Sequence, residues 1–381
     1  MLIDIIAGAR PNFVKIAPII AAIQARANAG EDIRFRLIHT GQHYDPRLSG
    51  MFFDQLAIPQ PDHNLEVGSG TQAEQTGAIM QRYEAVLMDY RPDLCLVVGD
   101  VTSTMACAIT AQKMHVAVGH VEGGIRSGDW TMPEEINRLA TDAVTDWFFT
   151  TSKTAGEALR QSGVPEAAIH FVGNTMIDTL LTNRSRFKRP ECWDALDLTD
   201  GNFIVVTMHR PANVDQADEL AEFVRIIADH ARGLPVVFPV HPRTAKTLEK
   251  LGELPGNLHC IEPLSYLEFN FLVERARIVI TDSGGITEEA TVLGVPCMTL
   301  RDTTERPETV TMGTNELVGT DPAVVPAWLD RLFKGEWKQG NVPPLWDGKA
   351  AERIVDILLD LPDRRSIGRP GSSLRPSAPP R

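Results

Sequence analysis

The chain has 381 residues, 43% of them hydrophobic and 23% charged, which is ordinary for a folded globular protein and enough for two domains. Its formal net charge of −13 argues against nucleic acid or an anionic membrane as the main partner, because both are themselves negative. An anionic ligand must therefore be held by local arginines, lysines and backbone N–H groups.

Targeting and membrane signals are absent from the pattern. No apolar run reaches the length of a membrane-spanning helix. The first residues, MLIDIIAGAR, carry Asp4 inside their apolar run and predict a strand rather than a signal peptide. The five cysteines are scattered without a CxxC pair, which favours reduced thiols and a cytoplasmic protein.

Short apolar runs alternate with helix-length segments along most of the chain, which predicts an α/β fold with doubly wound parallel sheets. In the first half the predicted strands are Ile3–Ala7, Phe35–Thr40, Leu94–Val98, Val116–Val121 and Trp147–Thr150. After a polar stretch at 183–202 the alternation restarts with Phe203–Thr207, Val236–Val240, Leu258–Ile261, Ile278–Thr281 and Pro296–Leu300. We therefore expect two Rossmann-like domains facing a central cleft.

The predicted boundaries give a first domain over residues 1–182 and a second over 183–348. A final amphipathic helix at Lys349–Asp360, within 349–361, is expected to pack back across the junction. Residues 362–381 are rich in proline, serine, glycine and arginine and are predicted to be disordered.

The stretch IVITDSGGITEEATVLGVPCMTLRDTTERPE at 278–308 contains two strand-to-loop turns in succession. The first passes through Ser283, Gly284 and Gly285 into a helix, and the free N–H groups of a helix start suit a phosphate. The second turn, after Leu300, supplies arginines and hydroxyls. The alternative is a glycine pair ending a helix and a solvated charged loop. Two such turns on adjacent parallel strands favour a nucleotide diphosphate site.

The turn after the first strand is GARPNFVK at 8–15, which lacks the G-x-G-x-x-G fingerprint of dinucleotide-binding domains. Arg10 at the strand end and Lys15 one helical turn later could both reach the cleft. The alternative is that they are two solvated basic residues.

Three carboxylates follow predicted strands or open predicted helices. Asp100, in GDVTST at 99–104, is either the N-cap of the next helix or a site residue. Glu122 is followed by two glycines that would let a ligand approach the backbone, the alternative being a turn with an incidental acid. Glu134 fits the third position of a capping box with Thr131 as the N-cap.

Histidines close two strands of the second domain. His209 is followed by Arg210, and His241 recurs in the same arrangement at the next strand end. A lone histidine there is often only structural, but the adjacent Arg210 favours a site. No histidines are paired with metal-ligand spacing, and the HExxH, GxSxG and GxxxxGK[ST] motifs are missing, so no metal is expected and hydrolase and NTPase functions lose support.

Together these motifs resemble the non-hydrolysing UDP-N-acetylglucosamine 2-epimerases, a two-domain family with a GT-B-like fold, over roughly residues 1–360. The likeness rests on GARPNFVKIAP at 8–18, TGQHYD at 40–45, GDVTST at 99–104, GHVEGGIRSG at 119–128, MPEEINR at 132–138, TMHRPAN at 207–213, TDSGGITEEA at 281–290 and RDTTERPE at 301–308. It implies an isomerase that converts UDP-GlcNAc to UDP-ManNAc without a cofactor, supplies ManNAc units for surface polysaccharide, and forms a homodimer.

The resemblance also implies roles for individual residues. By motif position the catalytic residues are Asp100, Glu122, Glu134 and His209. The UDP-contacting positions are Arg10, Ser283, Gly284, Gly285, Glu289 and Arg306, to which the strand-end pattern adds Lys15 and Arg210. Phe269, in EPLSYLEFNFL, falls where the family holds the uracil ring.

The chemistry of C2 epimerisation restricts the mechanism. The C2 proton is not next to a carbonyl, so simple deprotonation would be too slow, and the missing glycine fingerprint argues against transient oxidation by bound NAD. The route that the family is understood to use eliminates UDP to a 2-acetamidoglucal and adds it back from the other face. Such a route needs a carboxylate base and a strongly stabilised diphosphate. We expect the three acids to share the proton transfers and His209 to lie near the diphosphate; the sequence leaves open which acid is the base.

One departure concerns regulation. Many bacterial members bind UDP-GlcNAc as an activator through a QHxxQ segment and a downstream arginine. Here Gln42 and His43 remain, but Asp45 and Pro46 stand where the second glutamine is expected, and VGSGTQAEQ at 67–75 has no basic residue. We therefore expect weak or absent activation by UDP-GlcNAc.

Several rival functions stay open. The nearest is 2-epimerisation of another nucleotide sugar, such as a UDP-2,3-diacetamido uronic acid. A GT-B glycosyltransferase would share the fold and the UDP site, but the carboxylate set argues against it. A hydrolysing epimerase would release free ManNAc, and a non-catalytic nucleotide-sugar sensor would not need so many acids.

Overall fold

The computed structural model describes residues 1–41, 53–208, 217–240, 248 and 254–361, apart from the side chains of Arg10 and residues 217–219. Its contacts divide the chain into two units. The first unit comprises Met1–Thr179 and the segment from Pro344 onward, and the second comprises Leu180–Pro343. The boundaries that the sequence places at 182/183 and 348/349 stay predictions, as does the shared cleft, and the tail at 362–381 lies outside the described residues.

The first unit is built on a parallel sheet with helices between the strands. Its strands are β1 (Leu2–Ala7), β2 (Arg34–His39), β3 (His63–Asn64), β4 (Leu94–Val98), β5 (Ala117–Val121), β6 (Trp147–Thr150) and β7 (Ile169–Phe171). Its helices are α1 (Arg10–Asn28), α2 (Gln72–Asp89), α3 (Thr102–Lys113), α4 (Pro133–Val144), α5 (Lys153–Gln161) and α6 (Thr175–Asn183), with α13 (Ala350–Asp360) near the end of the chain. A short 3-10 turn, Glu166–Ala168, precedes β7.

The second unit repeats this plan. Its strands are β8 (Ile204–Thr207), β9 (Val236–Pro239), β10 (Leu258–Ile261), β11 (Ile278–Thr281), β12 (Cys297–Thr299) and β13 (Asn315–Leu317). Its helices are α7 (Glu191–Ala195), α8 (Ala217–His230), α9 (Tyr266–Arg275), α10 (Gly284–Leu293), α11 (Pro307–Thr311) and α12 (Val325–Phe333), with 3-10 turns at Arg184–Arg186 and Pro322–Val324.

The strand order reverses once in each sheet. The first sheet runs β3-β2-β1-β4-β5-β6-β7 and the second runs β10-β9-β8-β11-β12-β13. All the strand pairs recorded in the described residues are parallel. This is the doubly wound Rossmann arrangement, in which ligands bind beyond the carboxyl ends of the strands where the order reverses. That point lies between β1 and β4 in the first unit and between β8 and β11 in the second.

The sheets are buried on both faces, as parallel sheets with helices on each side must be. All five residues of β4 are buried. In β8 the alternation separates two layers: Ile204 and Val206 pack with apolar side chains of α8 and α12. Val205 packs on the opposite face with Leu272 of α9 and with Ala290 of α10. The period of two between facing side chains therefore fixes which helix covers which face.

The predicted alternation of strands and helices is confirmed, and the ten predicted strands are all present with ends shifted by at most one residue at either end. Three short strands escaped prediction: β3, β7 and β13. The final amphipathic helix begins one residue later than predicted, at Ala350. Within the described residues, no helix is both long and apolar enough to cross a membrane.

The final helix, α13, is capped by a side chain from another helix. Its N-cap residue, Lys349, provides no side-chain bond. Instead the buried Asp178 of α6 accepts hydrogen bonds from the backbone N–H groups of Ala350 at 3.1 Å and Ala351 at 2.7 Å. Asp178 thus satisfies two of the N–H groups that a helix start leaves without partners.

We expect Asp178→Ala to lower the free energy of unfolding by about 1–2 kcal/mol, because two buried N–H groups lose their acceptor. Asp178→Asn keeps one acceptor oxygen and should lose less. Urea unfolding of the two variants at one pH measures the difference. Equal stability of Asp178→Ala and the wild-type protein would show that the side chain does not hold α13.

Candidate functional site

Asn12 ties the two turns at the reversal point of the first sheet together. Its Oδ1 accepts from the backbone N–H groups of Gly8 and Ala9, each at 3.0 Å. Its Nδ2 donates to the carbonyl of Val98 at 2.9 Å. The end of β1 is thereby fixed against the end of β4, so residues that follow these two strands share one edge of the sheet.

Lys15 and Glu122 form a buried ion pair at this edge, with Nζ 2.7 Å from Oε2. Both residues are almost fully buried, so the alternative of a solvated lysine is wrong, while the site role of Glu122 stays a prediction. Gly99 lies directly beside the pair: a Cβ on it would stand 3.1 Å from Nζ of Lys15 and 3.8 Å from the Glu122 carboxylate. With φ at +71°, Gly99 also needs the backbone freedom of glycine.

Asp100 is held by helix α4. Arg138 donates to Oδ2 of Asp100 from Nε at 3.0 Å and from Nη2 at 2.6 Å. Asn137 donates to the backbone carbonyl of Asp100 at 2.9 Å. The N-cap of α3 is Val101, so the N-cap interpretation of Asp100 is wrong. Asp100 is instead a partly exposed carboxylate that is oriented from a neighbouring helix.

Helix α4 also carries the third predicted acid. Glu134, Arg138 and Asp142 are spaced four residues apart and therefore lie on one face of the helix. The Glu134 side chain is partly exposed and makes no hydrogen bond or ion pair with another described residue. Glu134 is thus one helical turn from the arginine that holds Asp100, and Asp100 directly follows the glycine beside Glu122.

The capping-box interpretation of this helix start is wrong. The helix begins at Pro133 with Met132 as its N-cap, and no side chain caps it. The Thr131 hydroxyl donates to Asp129 instead, at 2.6 Å. Proline is favoured at the first helical position because its missing N–H would have no partner there. Glu134 therefore has no capping role.

Glu135, next to Glu134, is held by hydrogen bonds inside the protein. It is buried and accepts from the backbone N–H groups of Ser127 at 2.9 Å and Gly128 at 3.1 Å, and from Arg138 at 2.7 Å. Burial alone would raise the pKa of Glu135, but these hydrogen bonds outweigh it and lower the pKa below its ordinary value. The two adjacent glutamates thus differ: Glu135 is tied into the loop, and Glu134 is left accessible.

The reversal point of the second sheet is formed by the turn after β11. Helix α10 begins at Gly284 with Ser283 as its N-cap and ends at Leu293, with Gly294 as its C-cap in the left-handed conformation. The alternative that the glycine pair ends a helix is therefore wrong, because Gly284 and Gly285 open one. Both glycines and Ser283 are partly exposed, which leaves the N–H groups of the first turn accessible.

The arginines of the charged loop after β12 are buried, although Asp302 and Thr303 are exposed, so its interpretation as a wholly solvated loop is wrong. Arg301 Nη2 lies 2.7 Å from the Glu305 carboxylate, and both side chains are nearly inaccessible. Burial opposes ionisation, but the hydrogen bond and charge of Arg301 outweigh it and lower the pKa of Glu305 to about 2. A Cβ on Gly284 would stand 3.2 Å from Glu305, so this pair adjoins the start of α10.

Arg306 and Glu289 have partners inside the second unit. The buried Arg306 is ion-paired with Glu288. Glu289 accepts a hydrogen bond from the Tyr266 hydroxyl at 2.9 Å. Phe269 lies partly buried on α9, against the apolar cluster below α10. The roles that the resemblance implies for these residues in UDP binding stay predictions.

Glu289 gives the unfolding equilibrium a dependence on pH. Burial raises its pKa to about 7, more than the bonds from Tyr266 and Asn270 lower it. When the pKa of a carboxyl is higher in the folded state than in the unfolded state, protonation stabilises the folded state. This stabilisation is complete below the pKa of the unfolded state and is lost as the pH rises through about 7. Ionised Glu289 therefore destabilises the unliganded protein at alkaline pH.

We expect Glu289→Gln to be more stable than the wild-type protein at pH 8 by up to about 3 kcal/mol, and the advantage to shrink towards pH 5. Urea unfolding of the unliganded proteins at several pH values measures this. Glu222→Gln, which alters an exposed acid of the same unit, is the matched control and should run parallel to wild type. A constant difference between Glu289→Gln and wild type from pH 5 to 8 would contradict the prediction.

Some predicted residues lie outside the described residues: His209, Arg210 and His241 of the second unit, and Gln42, His43 and Asp45 of the first. The same holds for the Arg10 side chain, although its backbone begins α1. Among the residues that the structure does describe, no group of three acids, histidines or cysteines could hold a metal ion.

The sequence interpretation did not identify the residues that orient the acids. Asn12, Asn137 and Arg138 lie within the quoted motifs, but nothing in their spacing shows that they contact Gly8, Val98 or Asp100. A histidine at 120 and an aspartate at 142 were likewise passed over. The one available signal was the spacing of Glu134, Arg138 and Asp142 on a helix that follows a glycine-rich turn.

A cavity of about 500 Å³ in the first unit is separate from the predicted acids. Its walls come from α4, α5 and the segments around β6, and they include Arg126, Asp142 and Phe148. Neither Asp100, Glu122 nor Glu134 lines it. The cavity therefore borders helix α4 at Asp142 and does not reach the three acids themselves.

Two Rossmann-like sheets, each with predicted site residues at its reversal point, place the chain in the GT-B-like class of two-domain proteins. A family model described as UDP-N-acetylglucosamine 2-epimerase matches residues 25–359. A UDP-N-acetylglucosamine 2-epimerase from Methanocaldococcus jannaschii is 39% identical over 370 residues, covering 94% of this chain and 99% of that protein. The chain belongs to the UDP-N-acetylglucosamine 2-epimerase family.

Other relatives agree with this assignment. A UDP-2,3-diacetamido-2,3-dideoxy-D-glucuronate 2-epimerase from Pseudomonas aeruginosa is 39% identical over 366 residues, covering 95% of this chain and all of that protein. The crystal structure of the M. jannaschii epimerase in complex with UDP-GlcNAc and UDP has a TM-score of 0.83 at 38% identity, covering 94% of this chain and 99% of that one. The epimerase of Neisseria meningitidis bound to UDP-GlcNAc has a TM-score of 0.84 at 30% identity, covering 95% of this chain and all of that one.

Proposed function

We propose that this protein interconverts UDP-GlcNAc and UDP-ManNAc by a reversible, non-hydrolysing epimerisation at C2. In the forward direction a carboxylate takes the C2 proton, the C2–H electron pair forms a C1=C2 double bond, and the C1–O bond to the diphosphate breaks. The products of this step are a 2-acetamidoglucal and UDP. The return step forms the C1–O bond again and delivers a proton to C2 on the opposite face.

The observation that carries the proposal is the convergence of the acids in the first unit. The Glu122 carboxylate lies beside Gly99, which Asp100 directly follows, and Glu134 stands one helical turn from the Arg138 that binds Asp100. A proton must leave one face of the sugar and return on the other, so a single acid would not suffice. Several carboxyl groups gathered at one sheet edge meet that requirement.

The second unit would supply the stabilisation of the departing diphosphate. Ser283, Gly284 and Gly285 present accessible N–H groups at the start of α10, which favours an anion there. The buried Arg301–Glu305 pair beside Gly284 gives this turn a rigid support. Stabilising negative charge on the leaving group lowers the barrier to breaking the C1–O bond.

A 2-epimerisation of a UDP-2,3-diacetamido uronic acid is the second candidate. It is favoured by the P. aeruginosa relative, whose identity to this chain equals that of the M. jannaschii UDP-GlcNAc epimerase. The chemistry at C2 would be the same, but the uronic carboxylate would need an additional cationic contact. A comparison of kcat/KM for the two UDP-sugars decides between them.

The reaction type is tested by NMR of the purified protein with UDP-GlcNAc in deuterated water. Deuterium should enter C2 as UDP-ManNAc appears, because the proton that is removed exchanges before it returns. Accumulation of free ManNAc would show a hydrolysing enzyme instead. If neither UDP-GlcNAc nor the UDP-uronic acid takes up deuterium at C2 or is converted, the epimerase proposal is refuted.

Other sequence-based expectations stay predictions of the same proposal. They are the homodimer, the cytoplasmic location, the independence from cofactors and the supply of ManNAc units to surface polysaccharide. The weak or absent activation by UDP-GlcNAc also stays a prediction. A rate curve with UDP-ManNAc that is sigmoidal, and becomes hyperbolic with a trace of UDP-GlcNAc, would contradict it.

A further inference from the structure

A buried polar network lies behind the two loops that carry Asp100 and Glu122. Its centre is His120, near the end of β5, which has no exposed surface. The Nε2 atom of His120 is 2.8 Å from the carbonyl oxygen of Gly99. The Nδ1 atom is 2.7 Å from Oδ1 of Asp142 on α4. Both ring nitrogens are therefore within hydrogen-bond distance of an oxygen.

The two hydrogen bonds at His120 need two protons, one for each ring nitrogen. A neutral imidazole carries one such proton and a carboxylate carries none, so one more is required. A backbone carbonyl only accepts, so Nε2 must donate to Gly99. Nδ1 then either donates to the Asp142 carboxylate or accepts from a protonated Asp142 carboxyl. A ring rotated by 180° would place carbon atoms against both oxygens and leave both without an N–H donor, so the present orientation is the one that satisfies them. The extra proton lies on His120 or on Asp142.

The surroundings of Asp142 place that proton on His120. Its second oxygen, Oδ2, accepts from the backbone N–H of Gly124 at 3.1 Å and is 2.6 Å from Nη1 of Arg126. A backbone donor and a guanidinium at one oxygen both favour the ionised carboxylate. An ionised Asp142 leaves His120 as the donor at both nitrogens, which is the imidazolium ion.

Further charged groups surround this network, most of them in pairs of their own. Lys15 of α1 is paired with Glu122 after β5, and Arg126 after β5 is paired with Asp142. Arg138 of α4 is paired with Asp100 after β4 and with Glu135 of α4, and Glu134 lies on the same face of α4 as Asp142.

We propose that His120, as a buried imidazolium paired with Asp142, is a positioning residue that fixes the spacing between the loops carrying Asp100 and Glu122. His120 binds the carbonyl of Gly99, which immediately precedes Asp100. Asp142 binds the N–H of Gly124, two residues after Glu122. One ion pair thus connects both loops, and the inference rests on the proposed roles of these two acids.

The backbone of both loops explains why such a connection is needed. Glu122 has φ at +70°, a left-handed conformation that costs a non-glycine residue about 1 kcal/mol or more. Gly124, at +83°, is packed so closely that a Cβ on it would stand 2.3 Å from the carbonyl of Ala155. A strained loop keeps such a conformation only where its surroundings hold it, and the Asp142 bond to Gly124 does so.

The protonation of His120 is tested directly by NMR of the full chain labelled with ¹⁵N at its histidines. His120, assigned by the signal lost in His120→Gln, should carry protons on both ring nitrogens, because each nitrogen faces an oxygen. His170 is the internal control: it is half-buried in the same unit, and burial lowers its pKa, so it should lose its second ring proton at a lower pH than an ordinary histidine does. A single ring proton on His120 in the wild-type protein would overturn the inference.

Asp142→Asn separates the charge from the hydrogen bonds. An amide oxygen in place of Oδ2 can still accept from Gly124 and Arg126, and an amide nitrogen in place of Oδ1 can donate to Nδ1 of a neutral His120. Every bond can therefore be kept while His120 loses its second proton. We expect a folded variant with a singly protonated His120 and a kcat lowered about 10- to 100-fold at similar KM, because neutral hydrogen bonds hold the two loops less firmly than the ion pair does.

The two hypotheses fail separately in these experiments. A singly protonated His120 overturns the positioning inference even when deuterium enters C2. Unchanged kcat in Asp142→Asn together with a neutral His120 also overturns it, since the charge would then have no effect on the acids. Absence of epimerisation refutes the proposed function alone, because the ring protonation of His120 is measured without substrate.

Discussion

Glu134→Gln is expected to lower kcat by about 1,000-fold or more while leaving the affinity for UDP within a few-fold of wild type. Removing a general acid or base costs about 100- to 10,000-fold in rate. Glu134 makes no bond with another described residue, so the amide replaces the carboxyl without disturbing a partner. The loss should therefore appear in turnover and not in the free energy of unfolding.

The neighbouring glutamate is the matched control. Glu135→Gln changes the same functional group one residue away, but that side chain accepts from Ser127, Gly128 and Arg138. We expect it to lose stability first, because an amide nitrogen would face a backbone donor. If Glu134→Gln loses turnover but not stability, and Glu135→Gln loses mainly stability, then Glu134 is the proton-transfer residue of the MPEEINR motif.

Asp100→Asn and Glu122→Gln should show comparable losses of turnover. Each also removes a charge that is paired in the folded protein, Asp100 with Arg138 and Glu122 with Lys15. Their turnover must therefore be read beside their stability, measured under the same conditions. UDP affinity by calorimetry should stay near the wild-type value in both. Normal turnover in all three acid variants would overturn the assignment of roles.

Strands with a strong apolar pattern could be predicted from the sequence, and strands with a weak one could not. Most of the ten predicted strands contain a run of β-branched or aromatic side chains bounded by turn residues, as in FIVVT at 203–207 and IVIT at 278–281. The strands that escaped, β3, β7 and β13, read HN, IHF and NEL. They lie at the edges of their sheets, where one side has no partner strand and polar residues are tolerated. Their pairing depends on the neighbouring strand rather than on their own sequence.

The candidate site divides in the same way. Acids and glycines at strand ends can be found from the sequence, because a parallel sheet brings those ends together. Their partners cannot be found so: Lys15 meets Glu122 across 107 residues, and Arg138 meets Asp100 across 38. Nor does a local pattern show that Arg301 and Arg306 are buried in ion pairs. Such contacts depend on how helices dock on the sheet.

Arg138→Met should combine a large loss of stability with a loss of turnover. Arg138 is almost fully buried and bonds to both Asp100 and Glu135. Removing one partner of a buried ion pair costs about 3–5 kcal/mol, because the remaining charge has lost its compensation. Asp100 is partly exposed, so we expect the lower end, about 3 kcal/mol, by urea unfolding. Turnover should fall up to about 100-fold as Asp100 loses its orientation.

Two further variants separate charge from geometry. Arg138→Lys keeps the positive charge but lacks the planar set of donors that reaches both carboxylates, so it should recover part of the stability and little of the turnover. Arg160→Met removes the exposed partner of Glu166 and should leave unfolding nearly unchanged. If Arg138→Met and Arg160→Met lowered the free energy of unfolding equally, the buried ion pairs of Arg138 would contribute no more to stability than an exposed pair.

A double-mutant cycle decides whether Arg138 acts on turnover through Asp100. If its role is to orient that carboxylate, Arg138→Met should reduce turnover strongly in the wild-type background and hardly at all in the Asp100→Asn background. Residues that share one function in this way are strongly non-additive. Additive losses of turnover would place Arg138 in direct contact with the sugar or the diphosphate instead. The cycle thus distinguishes a residue that positions an acid from one that binds substrate, using turnover alone.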